Sequence, residues 1–213
     1  MFKVSFKNKM SENKSLDRLA AFSDGVFAIA ITLLILEIKV PPIDSIHSVN
    51  DVVDSIFHLW PSFFAFLYSF GGILVQWVFH HNILNLLNKT SRPFLYTNGL
   101  LLLTIVFFPF PTAFLAEYIN TVYAMPAIVF YSGVSVINAL AWFLFYRSID
   151  KPKALRTSAF SNELYYKIRK SNYLALVIYT ATTVLAIWFP YISLIINIAV
   201  WLLWVSLSLI EKE

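Results

Sequence analysis

Apolar residues in this chain run in blocks rather than alternating with polar ones. Six such blocks, about 19–38, 56–79, 94–116, 122–146, 173–189 and 191–210, approach the roughly 20 residues that span a hydrocarbon core. Lipid offers no partner for a backbone N–H or C=O, so a run of that length closes its own hydrogen bonds as a helix. A transmembrane strand would alternate a lipid face with a polar one, and Leu100-Leu101-Leu102-Leu103 does not. The pattern predicts an all-α polytopic membrane protein: one domain, residues 1–213, with six transmembrane helices.

Composition agrees. Of 213 residues, 59% are hydrophobic and 13% charged, against about 45–50% and about 25% in soluble domains. Mean hydropathy is +0.70. These proportions exclude a disordered chain, a nucleic-acid binder built on a basic face, and most cytosolic enzymes. Cysteine is absent, which removes disulfides, thiol nucleophiles and cysteine-zinc sites.

Charge sets the orientation. Six crossings put the amino-terminal tail, the loops after the second and fourth segments, and the carboxyl terminus on one side. That side holds Lys3, Lys7, Lys9, Lys14, Arg18, Lys89, Arg92, Arg147, Lys151, Lys153, Arg156, Lys167, Arg169, Lys170 and Lys212. Of the 16 Lys and Arg residues only Lys39 lies opposite. Positive charge marks the cytoplasmic side, so both termini are expected there, in a cell membrane. Glu37, Asp44, Asp51, Asp54 and Glu117 make the outer side mildly acidic. The first segment is too long for a signal h-region and reads as a permanent anchor. The loop from Arg147 to Lys170 reads as a solvated basic linker against anionic headgroups.

Catalytic patterns are missing: no Gly-rich phosphate cradle, no GxSxG, no HExxH. His80 and His81 are adjacent, which on a helix turns them about 100° apart, too far to share a metal. His47 and His58 stand alone near the outer side. No enzyme, cofactor or resident metal is expected. No helix repeats Arg or Lys at every third position, as a voltage sensor does, and the TVGYG filter loop is absent. The tetrameric P-loop channel architecture is therefore not this one.

The densest unusual stretch begins the first segment, from Arg18 through Phe22, Ser23, Asp24 and Gly25 to Thr32. An ionised Asp24 at membrane depth costs a few kcal/mol unless it is paired or wet. As an alternative, Ser23 and Asp24 are a plain helix cap at the interface. At about 100° per residue, with Ile29 at zero, Phe22 falls at about +20°, Gly25 at about −40°, Thr32 at about −60°, Leu33 at about +40° and Leu36 at about −20°. Ser23 and Asp24 fall on the opposite flank, towards neighbouring helices. By periodicity alone, the aliphatic stripe faces either lipid or another helix.

Arg18-x-x-x-Phe22-Ser23-Asp24 before an Ile/Thr/Leu-rich helix resembles the signature of the transmembrane protein 175 family of potassium channels. Trp77-x-x-His80 closing the second segment, Asn98 opening the third, and Pro109 in Phe107-Phe108-Pro109-Phe110 match further. The resemblance covers essentially the whole chain as one six-helix unit, as in the prokaryotic members; vertebrate members carry two units.

That resemblance implies a homotetramer in the lipid bilayer whose first helices line a central pore passing K+ ions. It places an aliphatic constriction on Ile29, Leu33 and Leu36, and a hydroxyl tied to cation selectivity on Thr32. It also implies a motif network of Arg18, Phe22, Ser23, Asp24, Trp77, His80 and Asn98 that holds the first helix. An aliphatic ring supplies no ligand for lost water, so it must pass a partly hydrated ion and can close by dewetting. The expected potassium preference is modest. The alternative is a proton- or cation-coupled secondary transporter using Asp24. Such folds break at matching positions in two halves. Here Gly71-Gly72 and Pro109 with Pro111 are the expected interruptions, without counterparts in the last two segments. A membrane protein with a purely structural role is the third reading.

Overall fold

In the computed structural model, which describes residues 2–150, 155–157 and 162–210, helix dominates. Helix α1 runs Phe2–Leu33 and tightens into a 3-10 turn at Leu34–Glu37. It is followed by α2 (Val49–His58), α3 (Trp60–Asn85), α4 (Arg92–Phe107), α5 (Pro109–Tyr118), α6 (Ala124–Asp150), α7 (Asn162–Leu185) and α8 (Pro190–Ile210). The positively charged Lys151, Lys153 and Lys212 lie outside the described residues.

Prolines and caps set the boundaries. Pro61, Pro93, Pro109 and Pro190 each sit in a first helical turn, where a missing N–H is no loss. Ser48 and Asp51 form a capping box on α2. The Ser91 hydroxyl accepts the Phe94 N–H at 3.3 Å and starts α4.

Among the described residues, five stretches are long and apolar enough to cross a bilayer: Ser15–Glu37, Val49–Asn85, Arg92–Tyr118, Ala124–Asp150 and Pro190–Leu207. Helix α7 falls short of that measure. Lys167, Arg169 and Lys170 occupy its first half, so the fifth expected crossing is the least apolar. It packs along α6 and turns back into α8 through Trp188 and Phe189, whose N–H groups both reach the Leu185 carbonyl.

Several expectations shift. The second apolar block divides at Leu59: α2 precedes it as a short amphipathic helix, and α3 runs on past Phe79 to Asn85. Trp77 and His80 are therefore interior to α3, and Asn98 lies well inside α4 rather than at its start. Gly71-Gly72 does not interrupt α3. These glycines mark a crossing, because a Cβ at Gly71 would overlap the Trp201 indole of α8. The interruption at Pro109 and Pro111 is real: neither ring nitrogen can donate, and the third block breaks at Phe108 into α4 and α5.

The described parts of the basic linker are also more structured than expected. Asn88 N–H reaches the Leu155 carbonyl at 2.7 Å and Thr157 N–H the Leu86 carbonyl at 3.0 Å, tying the α6–α7 connection to the α3–α4 turn. Asp150 at the end of α6 accepts from Arg169 at 2.6 Å and from the Tyr165 hydroxyl at 2.9 Å. Burial, and next the Asp150 carboxylate, push the Tyr165 hydroxyl above the ordinary tyrosine range. Acidic and aromatic partners on α6 and α7 thus hold part of the basic charge that the sequence leaves to solvent.

Candidate functional site

Helix α1 has two unlike faces. Ser23, Phe27, Ala30 and Leu34, spaced three or four apart, are all at 1% exposure or less. Phe27, Ala30 and Leu34 join Tyr68 and Ile73 of α3 and Leu102 and Ile105 of α4 in one core cluster. The other face is open within the chain. Phe22 is 62% exposed, Ile29 59%, Leu33 38% and Leu36 60%, with Gly25 and Thr32 also exposed.

The change to a 3-10 turn after Leu33 does not move Leu36 off this stripe, because side chains three apart in that geometry eclipse. Leu36 stands over Leu33, and Glu37, half-buried, over Leu34. The Thr32 hydroxyl donates to the Ile29 carbonyl at 2.9 Å. Its hydrogen is therefore spent on its own helix, and the oxygen keeps its two lone pairs as acceptors.

The flank of α1 is clamped to α3 and α4 by two polar links. Trp77 Nε1 donates to Asp24 Oδ1 at 2.8 Å. Asn98 Nδ2 donates to Ser23 Oγ at 3.1 Å, and Asn98 Oδ1 meets His80 Nε2 at 2.7 Å. Since the amide nitrogen is committed to Ser23, its oxygen must accept from His80, which fixes the ring hydrogen on Nε2. His80 Nδ1 is then a bare buried acceptor, without a partner among the described residues. Phe27 and Phe145 hold the ring, with centroids 5.3 and 5.6 Å away. Ser23, His80 and Asn98 are 0%, 0% and 1% exposed, so these bonds form in a dry setting.

Five of the residues expected in the motif network thus meet: Ser23, Asp24, Trp77, His80 and Asn98. Arg18 and Phe22 do not join them. Arg18 sits about 20° from Ile29 around the helix, on the open stripe, and is exposed. Asp24 is a bonded side chain about six turns past the start of α1 at Phe2, not an amino-terminal cap.

Sequence reasoning missed a second set of interior polar pairs. Ser69 contacts Thr112 at 2.6 Å and Tyr131 at 2.9 Å, Asn138 donates to Thr104 at 2.8 Å, and Trp142 Nε1 donates to Gln76 at 2.7 Å. Asn197 bridges Ser132 and Thr182. The signal was present: isolated amides inside apolar helices face protein rather than lipid.

The family model for the endosomal/lysosomal potassium channel TMEM175 matches residues 18–109, which contain the clamp and the open stripe. A potassium channel of Chamaesiphon minutus is 50% identical over 131 residues, 62% of this chain and 64% of that one. A potassium channel of Streptomyces collinus is 43% identical over 126 residues, 59% of this chain and 60% of its own length. The matched stretches thus span just under two thirds of these two relatives. A crystal structure titled as a lysosomal potassium-selective channel TMEM175 homologue from Chamaesiphon minutus superposes with a TM-score of 0.82 at 36% identity, over 92% of this chain and 98% of the other. With a solved relative covered almost end to end at that identity, the chain belongs to the TMEM175 family.

Proposed function

We propose that four copies of this chain form a passive, potassium-preferring cation channel, with the open face of α1 turned to a shared central axis. Residues 1–213 act as one six-helix subunit in the cell membrane, with both termini cytoplasmic. The observation that carries this reading is the division of α1: one flank fixed by Trp77–Asp24 and by His80–Asn98–Ser23, the opposite stripe left uncovered by its own chain. Relatives named as potassium channels support it.

The stripe has the chemistry of a hydrophobic gate. Ile29, Leu33 and Leu36, repeated by symmetry, offer a cation nothing to replace its water, so conduction needs a bore wide enough for a partly hydrated ion. Narrowed, the same ring dewets and closes. Thr32 sits between Ile29 and Leu33 with its hydrogen turned inward, presenting oxygen, the polarity a cation favours. Potassium sheds water more readily than sodium, which gives a modest preference. Asp24 is the residue a coupled transporter would load and unload. Its carboxylate is bonded to Trp77 instead, the role of a strut.

Potassium efflux from proteoliposomes, with internal pH followed in parallel, tests the proposal. Electrogenic efflux down the gradient that needs no proton entry is expected. Efflux obligatorily matched by proton uptake would select the transporter, and absence of ion flux from correctly inserted protein would leave the structural role.

A further inference from the structure

Behind the clamp, between α3, α6, α7 and α8, lies a cavity of about 100 Å³. Its walls are largely aromatic, with Trp142, Trp201 and Trp204 among them, and every side chain that lines it is neutral. Two polar side chains there, Asn172 and Gln76, are not fully spent. Asn172 is only 9% exposed, borders the cavity and has no hydrogen-bond partner among the described residues. Gln76 accepts from Trp142 through its oxygen, leaving its amide hydrogens free. The Trp201 indole N–H has no acceptor among the described residues, but its nitrogen is packed against Gly71 of α3 and does not open into the cavity.

We propose that this cavity is a binding site for a small, flat, neutral molecule of about five or six heavy atoms that both donates and accepts hydrogen bonds. An unpaired buried amide costs about 1–3 kcal/mol, so a cavity lined with such groups favours an occupant that satisfies them. Its volume is about two thirds of that of the 150 Å³ apolar cavity which takes up benzene. A five-membered azole fits that scale. Aromatic walls supply stacking faces, and with no ionic partner in the lining a charged ligand would be stranded. The site adjoins the α1 clamp: the Trp142 ring lies 6.4 Å from His80, and Gln76 neighbours Trp77 in α3. The proposal does not depend on ion conduction.

The test is fluorine NMR of 4-fluoropyrazole titrated into the full chain in lipid nanodiscs, with protein-free discs as reference. Saturable binding of one molecule per chain, displaced by unlabelled pyrazole, is expected. Ala139→Leu fills the cavity and abolishes it. Asn172→Leu, which keeps side-chain volume, weakens it about tenfold, the equivalent of one buried hydrogen bond. Uptake equal to that of protein-free discs would mean that the cavity holds water alone, and would overturn the proposal. Saturable binding that both folded variants leave unchanged would place the site elsewhere and overturn it equally.

Discussion

Asn98 is the most informative residue to remove, because its amide joins α1 to α3 through α4. Asn98→Leu keeps the volume and deletes both bonds. Ser23 recovers by turning its hydroxyl to a carbonyl of its own helix, as serines in helices do. His80 has no such escape: its Nε2–H is left facing leucine in a pocket where the ring is 0% exposed. Interhelical hydrogen bonds in lipid average about 0.6 kcal/mol and reach about 1.7, while an orphaned buried donor costs about 1–3 kcal/mol. The expected destabilisation is therefore about 1–3 kcal/mol, nearly all of it from His80. Adding His80→Phe removes the orphan and places a ring beside Phe27 and Phe145, so the double variant should recover at least about 1 kcal/mol. Steric-trap or reversible detergent unfolding of single and double variants measures this coupling. A single variant as stable as the wild type, or a double variant whose loss equals the sum of the two singles, would refute the hydrogen bonds assigned to Asn98 and His80.

Ile29→Asn should raise sodium permeability relative to potassium, and unchanged bi-ionic potentials in a bilayer recording would remove Ile29 from the constriction. Thr32→Ala should weaken potassium preference while assembly is preserved; retained selectivity refutes the role of its oxygen. Gly71→Val drives a side chain into the Trp201 indole and should cost about 1–3 kcal/mol as overpacking, read as lowered thermal stability, with partial rescue by Trp201→Ala. Asp150→Asn weakens the links to Arg169 and Tyr165 near the membrane surface, where such pairs are worth about 1 kcal/mol or less. It should speed proteolytic nicking of the α6–α7 connection without changing ion ratios.

How much was legible follows from the range of each interaction. Blocks of apolar residues announced membrane helices because each such helix closes its hydrogen bonds locally, whatever its neighbours do. The α1 stripe was equally readable: Phe22, Ile29, Leu33 and Leu36 share a face by helical period alone, and the 3-10 turn after Leu33 happens to preserve it. Ser23 and Asp24 could be placed on the opposite flank for the same reason. Their partners could not be derived from geometry. Trp77 is 53 residues from Asp24, and Asn98 is 75 from Ser23; the family resemblance brought these residues to notice.

Gly71-Gly72 shows the limit clearly. Two adjacent glycines read as a helix break, yet α3 passes through them because Trp201 of α8 needs the space a Cβ would fill. The basic 147–170 stretch reads as solvated linker until the fold brings Asp150 against Arg169 and Tyr165. Local sequence therefore determined which segments are helical in lipid and which side chains of α1 share a face, since both depend on interactions within a few residues. The crossing of the helices decided which polar groups are paired, which glycine is required and where a cavity remains, since these depend on contacts between segments remote in sequence.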